Sequence, residues 1–163
     1  MFPLAAFDAI SLPETNRLLA AWGHRMGPLE RGNSAALACH ALFAHGQPVG
    51  VACTSSLIRE HVGGGLSHFT RVNTVELSRL CAAEPWACRV VLRLWRELVF
   101  PGTGMAAAIS YQDSDLHTGN TYRFDGWRRA GYSSSGTDSR TGRRGRNKYI
   151  WVWPPCAGKA VPK

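Results

Sequence analysis

The sequence contains no apolar run that approaches the roughly 18 residues needed for a helix to cross a membrane. It also lacks a basic N-terminal segment followed by a long apolar stretch, which a secretory signal requires. We therefore expect neither membrane insertion nor secretion, and we predict a cytoplasmic protein.

Cysteines are few and show no C-x-x-C spacing. The five cysteines form an odd set, and three of them, Cys39, Cys53 and Cys81, fall in apolar, strand-like runs. This pattern predicts reduced core thiols and argues against a zinc site or a disulfide framework. The 163 residues, 45% of them hydrophobic, suffice for one full core but are too few for two, so we predict a single domain over 1–163.

Lysine is scarce in a chain that is otherwise strongly basic. Nineteen Lys and Arg residues oppose eleven Asp and Glu residues, which gives a formal charge of +8, and sixteen of the nineteen are Arg. Arginine suits phosphate because it makes planar, bidentate contacts, although a GC-rich genome also favours Arg. The bases concentrate in a window near the C-terminus, 128–148, which contains a single acid, Asp138. The bases of this window are Arg128, Arg129, Arg140, Arg143, Arg144, Arg146 and Lys148. This window is either a solvated loop or, as we predict, a hairpin at about 136–148 that binds nucleic acid.

Hydrophobic periodicity predicts an α+β fold. Strands are predicted at 3–10, 35–44, 49–58, 73–81, 105–109, 130–135 and 149–153. Helices are predicted from a cap at Ser11 to about Trp22, at 86–100, and in a short segment before Gly126. The segment 61–69 contains three consecutive glycines, and we predict a flexible excursion there.

Chemically active side chains follow the strand at 105–109 at a density that a core does not need. Acids, hydroxyls and one imidazole lie close together: Ser110, Tyr111, Gln112, Asp113, Asp115, His117, Thr118, Asn120 and Tyr122. One interpretation is a polar loop that caps the next helix through Asp115 or Thr118. The density of the whole cluster favours an active site.

The order of elements resembles the GCN5-related N-acetyltransferase (GNAT) fold, in which the fourth and fifth strands separate and hold the cofactor between them. The segment 120–127, NTYRFDGW, is the best local match. The resemblance implies a mixed, mostly antiparallel sheet of about seven strands flanked by helices. It also implies acetyl-CoA or a related acyl donor, with Tyr122 protonating the departing thiolate. The glycine-bearing, phosphate-binding turn that this fold carries after its fourth strand is absent from 79–86.

A narrower resemblance joins several motifs in order. WGHRM at 22–26, VELSR at 75–79, ISYQD at 109–113 and HTG at 117–119, followed by Tyr122, resemble the Mom family of phage DNA-modification proteins. The resemblance implies transfer of a carbamoylmethyl group to the N6 amino group of adenine in duplex DNA, which protects phage DNA from restriction. The protein would then act in the cytoplasm of a host bacterium.

This resemblance suggests roles for single residues. The exocyclic amine of adenine is a poor nucleophile, so a base must take its proton during attack. We predict Asp113 as that base and His117 as the second choice, with His24 and Tyr122 completing the catalytic set. The simpler interpretations are a helix-capping carboxylate for Asp113 and a surface imidazole for His117.

Arg79, Ser78 and Ser110 are predicted to contact the cofactor, although an ion pair between Arg79 and Glu76 is the simpler interpretation of that arginine. His24, Asp113 and Tyr122, together with His117, would also suit iron or another first-row metal.

Two other functions remain open. The chain could be an ordinary N-acetyltransferase acting on a small molecule or a protein, or a non-catalytic, basic DNA-binding module. The group transferred and the oligomeric state do not follow from the sequence.

Overall fold

Seven strands form one mixed sheet in the order β1-β2-β3-β4-β5-β7-β6. The computed structural model describes residues 5–29, 36–134, 136 and 145–158. The strands are β1 Ala5–Ala9, β2 Ala36–Ala44, β3 Gln47–Ser56, β4 Thr74–Ala82, β5 Ala107–Asp113, β6 Arg128–Ser133 and β7 Lys148–Trp153. The helices are α1 Leu12–Ala21, α2 Pro85–Leu94 and α3 Asn120–Phe124. A π-helical turn, Trp95–Val99, and a 3-10 turn, Phe100–Thr103, continue α2.

All neighbouring strands run antiparallel except β4 and β5, which are parallel. A parallel pair needs a crossover connection, and α2 with its two short turns provides it. The predicted α+β fold with a mixed, mostly antiparallel sheet is confirmed.

Local sequence signals explain two of these elements. Ser11 caps α1 by accepting a hydrogen bond from the backbone N–H of Glu14 at 3.3 Å, as predicted. His45 and Gly46 connect β2 to β3 with φ values of 50° and 77°. Two positive φ values in a two-residue loop match the twist of an antiparallel hairpin.

One predicted strand boundary differs clearly from the structure. Strand β5 was expected to end at Ile109 but continues to Asp113, because Ser110 and Gln112 satisfy their polar atoms while buried. On the helix predicted at 86–100, Val90 and Leu98 are 38% and 63% exposed. A π turn at Trp95–Val99 shifts the helical register around Leu98.

The excursion at 61–69 is anchored to the sheet despite its glycines. Val62, Leu66 and Phe69 are buried and form a hydrophobic cluster with Ile109 and Ile150. A larger cluster on the opposite face packs α2 against the sheet, and α1 packs with a third cluster that includes Cys81. Within the described residues, no helix is both long and apolar enough to cross a membrane.

Candidate active site at the separation of β4 and β5

Strands β4 and β5 pair only along their first residues. Thr74 to Glu76 lie beside Ala107 to Ile109, and no further pairs join the two strands in the described residues. At the point of separation, the Ser110 hydroxyl donates to the Leu77 carbonyl at 2.9 Å. Ser78 is the extra residue of a β-bulge, since Leu77 and Arg79 lie opposite the consecutive residues Thr54 and Cys53. A bulge re-aims the backbone and side-chain groups around it.

Two pockets meet at this opening. The helix-side pocket, of about 600 Å³, is lined by α3, by Cys88 of α2 and by 22–26. The loop-side pocket, of about 580 Å³, is lined by 57–59, 61–64 and residues of β6 and β7. The residues that line both pockets are Met26, Leu77, Ser78, Arg79, Tyr111, Asp113 and Arg146. The gap between β4 and β5 is therefore accessible from two directions.

Tyr122 forms part of the wall of the helix-side pocket. Its hydroxyl lies 2.8 Å from Ser110 Oγ, and its ring stacks on Trp151 with 5.5 Å between centroids. Because the Ser110 proton is directed to the Leu77 carbonyl, Tyr122 donates to Ser110. Burial raises the pKa of Tyr122 to about 12, so its hydroxyl is protonated at neutral pH.

Asp113 ends β5 at the junction of the two pockets. Its Oδ1 accepts a hydrogen bond from the backbone N–H of Asp115 at 3.0 Å, so the carboxylate orders its own loop. It does not cap α3, whose N-cap is Gly119 without a side-chain hydrogen bond. Oδ2 is buried and has no hydrogen-bond partner within the described residues. A buried carboxylate oxygen without a partner is a group that a bound molecule could satisfy.

His24 and His117 both line the helix-side pocket. His24 is half-buried, and its Nδ1 accepts a hydrogen bond from the backbone N–H of Met26 at 3.3 Å. Burial, together with the charges of Arg79, His117 and Arg146, lowers the pKa of His24 to about 4. His24 is therefore neutral at neutral pH. The side chain of His117 is exposed at the pocket rim.

Arg79 is buried and holds the chain segment that carries His24. Its guanidinium donates to the carbonyls of Gly27 at 3.2 Å, Pro28 at 3.5 Å and Ser78 at 2.8 Å. Ser78 Oγ is itself 2.7 Å from Ser55 Oγ. The three predicted cofactor residues, Ser78, Arg79 and Ser110, thus lie together at the separation point, and their contact with a cofactor stays a prediction.

Gln112 has a role that the sequence did not reveal. Its side-chain amide donates to the His117 carbonyl at 2.5 Å and accepts from the Trp151 indole at 2.9 Å. A Cβ on Gly119 would lie 2.6 Å from Gln112 Oε1 and 2.6 Å from Trp151. Gln112 and Gly119 therefore fix the loop that carries His117. The buried residues Ser110 and Gln112 alternate with the partly exposed Tyr111 and Asp113, which is the period-2 pattern of a strand.

The predicted basic window divides into separate parts. Arg146 lines both pockets and Lys148 lines the loop-side pocket. Arg128 donates to the carbonyls of Pro155 and Ala157, and Arg129 lies over the Tyr149 ring, so neither lines a pocket. Arg140, Arg143 and Arg144 lie outside the described residues.

The predicted metal site has no preformed ligand set in the described part of the chain. No group of three or more His, Cys, Asp or Glu side chains is placed to hold a metal ion there. The Tyr122 hydroxyl is directed to Ser110. Metal binding by His24, Asp113 and Tyr122 stays a prediction without support from this arrangement.

The turn after β4 does not fit the phosphates of coenzyme A in the manner usual for this fold. Only Ala83 and Glu84 separate β4 from α2, and Pro85 has no N–H to offer at the first helical position. The Ala87 N–H is used by the Glu84 carbonyl at 3.0 Å. The acidic side chain of Glu84 would also repel an anion at this helix start.

Neither a protein-family model nor a curated protein sequence matches the chain. Solved structures do match it. The ribosomal-protein-S18-alanine N-acetyltransferase from Escherichia coli is 14% identical, with a TM-score of 0.60 over 98% of this chain and 99% of that chain. An acetyltransferase of the GNAT family from Streptococcus pneumoniae is 10% identical, with a TM-score of 0.57 over 91% and 97%.

An Arabidopsis thaliana protein in complex with the bisubstrate analogue CoA-Ac-MVNAL is 9% identical, with a TM-score of 0.55 over 92% of this chain and 98% of that chain. Because all three identities are low, the similarity establishes the fold. The chain has the GNAT fold.

Proposed function

We propose that this protein is a transferase of the N-acyltransferase type, which moves an acyl-like group to an acceptor amine at the separation of β4 and β5. The observation that carries this proposal is the meeting of two pockets at one opening. Two substrates that approach from different sides can react there without sharing an entrance. The half-buried carboxylate of Asp113 and the buried Tyr122 hydroxyl both line the helix-side pocket at this opening.

Asp113 and Tyr122 have complementary properties for such a transfer. As the amine nitrogen attacks the donor carbon, Asp113 takes the proton that the amine loses. Tyr122 supplies a proton to the leaving group, for which its hydroxyl must turn away from Ser110. A high pKa keeps this proton in place until the leaving group carries negative charge.

The test compares cells that express wild-type protein with cells that express Asp113→Asn. Mass spectrometry of nucleosides from plasmid DNA, of protein amines and of small amines should show a product that depends on Asp113. We expect at least about a hundredfold less product with the variant, the usual scale for a lost acid or base. A modification pattern identical in both cultures would contradict the proposal.

A second candidate is that the acceptor is the N6 amino group of adenine in duplex DNA. The ordered motifs at 22–26, 75–79 and 109–122 favour it, because the structure places all three segments at the same helix-side pocket. The formal charge of +8 supports a polyanionic substrate. An adenine would have to leave the duplex to enter the helix-side pocket, while basic side chains hold the neighbouring phosphates.

The salt dependence of the affinity for duplex DNA distinguishes this candidate from the first. If Arg140, Arg143, Arg144 and Arg146 contact phosphates, changing all four to Ala should flatten the slope of log affinity against log salt by up to ~3.6. Weakening should be nearly independent of sequence, because phosphate contacts do not read bases. An unchanged slope would remove this segment from DNA binding. Binding of acetyl-CoA without DNA affinity would favour a small-molecule or protein acceptor.

A further inference from the structure

Two cysteines face each other across the hairpin of β2 and β3. Cys39 lies directly opposite Cys53, with their sulfur atoms 3.0 Å apart. Both are free thiols and both are buried, at 6% and 0% exposure. Leu29, which is also buried, belongs to the same hydrophobic cluster. The transfer chemistry proposed above uses neither thiol.

The strand register of the two cysteines is compatible with a cross-strand disulfide. Directly opposed residues of an antiparallel pair have Cα atoms about 4.5–5.5 Å apart, which is within the range of about 4.4–6.8 Å found in disulfides. A sulfur–sulfur bond of about 2.05 Å requires the two atoms to approach by only about 1 Å. Side-chain rotation can supply such a movement without a change in strand register.

We propose that Cys39 and Cys53 are a redox-active dithiol that small disulfides, such as oxidised glutathione, convert to an intramolecular disulfide. The Cys39 thiolate attacks one sulfur of the reagent, and the reagent's disulfide breaks to release one thiol. Cys53 then loses its proton and attacks the Cys39 sulfur, which releases the second thiol. The protein loses two electrons and two protons, and the reagent gains them.

The direction of attack follows from the unequal surroundings of the two sulfurs. The hydrogen bond from Cys53 lowers the pKa of Cys39, whereas the same contact and burial raise the pKa of Cys53. Cys39 is therefore the more easily ionised thiol of the pair. It is also the more exposed of the two residues.

The dithiol is adjacent to the candidate active site. Arg79 lies opposite Cys53 on β4, and its guanidinium holds the carbonyls of Gly27 and Pro28. Leu29 follows these residues and packs with both cysteines. A disulfide would therefore restrain Leu29 and Arg79, the two residues that support the segment carrying His24.

The experiment treats the folded, full-length protein with oxidised glutathione, blocks remaining thiols with N-ethylmaleimide in denaturant, and digests with trypsin without reduction. Residues 32–59 form one tryptic peptide that contains both Cys39 and Cys53. We expect this peptide to lose two hydrogens and to carry no maleimide. The oxidised protein should also show a midpoint of thermal unfolding higher by about 6–12 °C, since a 15-residue loop is closed.

Cys156 is exposed and serves as an internal control, because it should take up glutathione whenever the reagent is active. In Cys53→Ser, we expect peptide 32–59 to carry glutathione or maleimide on Cys39. Two maleimide adducts on the wild-type peptide, with Cys156 modified, would overturn the proposal. A glutathione adduct that persists on Cys39 beside a free Cys53 would overturn it equally.

Discussion

Helix α2 is held differently at its two ends. Beyond its C-terminal end, the buried carboxylate of Asp125 accepts hydrogen bonds from Arg93, Arg96 and the Trp127 indole, each at 2.8–3.1 Å. Arg96 also lies over the Trp153 ring at 4.4 Å. At its N-terminal end, Glu84 makes no side-chain cap, and the neighbouring Trp86 is 53% exposed.

The side-chain hydrogen bonds described here hold the C-terminal end of α2 and not its N-terminal end. The end of α2 that would face donor phosphates has neither glycine nor a free first N–H. The other end joins α3 and Trp127 to the core that supports Tyr122. The chemistry proposed here therefore depends on the β5 and α3 side of the opening rather than on a phosphate-binding helix start.

The largest effect is expected from Asp125→Ala. This change leaves Arg96, whose side chain is only 10% exposed, without its buried carboxylate. Breaking a buried ion pair in this way costs about 3–5 kcal/mol of unfolding free energy. Glu84→Ala is the matched control at the other end of α2 and should cost within about 0.5 kcal/mol. Equal losses of unfolding free energy in the two variants, measured by urea denaturation, would refute the contrast between the two ends.

Gly119→Ala tests whether the close packing found beyond the C-terminal end of α2 extends to the loop before α3. Gly119 has a φ of +78°, and a new Cβ would lie 2.6 Å from Gln112 and Trp151. Backbone strain and overpacking together should cost about 2–4 kcal/mol. Gly65 also has a φ of +78° but no atom within 4 Å, so Gly65→Ala should cost about 1 kcal/mol. If both variants unfold at the same urea concentration, the packing argument for this loop is wrong.

A smaller effect on the unfolding free energy is expected at His24, which lines the helix-side pocket. Its pKa is about 4 in the folded protein against 6.5 for an unperturbed histidine. Between these values the unfolded chain binds a proton that the folded chain does not, so the unfolding free energy falls as pH falls. The slope from this group reaches at most about 1.4 kcal/mol per pH unit. In His24→Gln this component should disappear, and an unchanged pH profile would show that His24 is not desolvated as described.

Much of the fold could be predicted because its signals are local. The Ser11 cap and the short connection between the strands predicted at 35–44 and 49–58 depend on residues close in sequence. The end of β5 was mispredicted because Ser110 and Gln112 look like loop residues until their partners are known. Those partners, Leu77 and Trp151, are distant in sequence.

The candidate site was predictable as a set of residues but not as an arrangement. The motifs identified His24, Arg79, Asp113 and Tyr122, and the fold brings them to one pocket. The sequence did not indicate that Arg79 would hold backbone carbonyls. The hydrogen bonds of Arg79 depend on packing between segments that are distant in sequence, and no local sequence pattern predicts them.

The most direct test of the transfer site compares Asp113→Asn with Asp115→Asn. Both carboxylates follow β5, but Asp113 lies where the two pockets join, whereas Asp115 is exposed and lines neither. Quantitative mass spectrometry of the modified amine should show at least about a hundredfold less product for Asp113→Asn. Asp115→Asn should retain wild-type levels within about twofold, as a surface change that removes no catalytic group. Equal product from both variants would contradict the assignment of the reaction to the separation of β4 and β5.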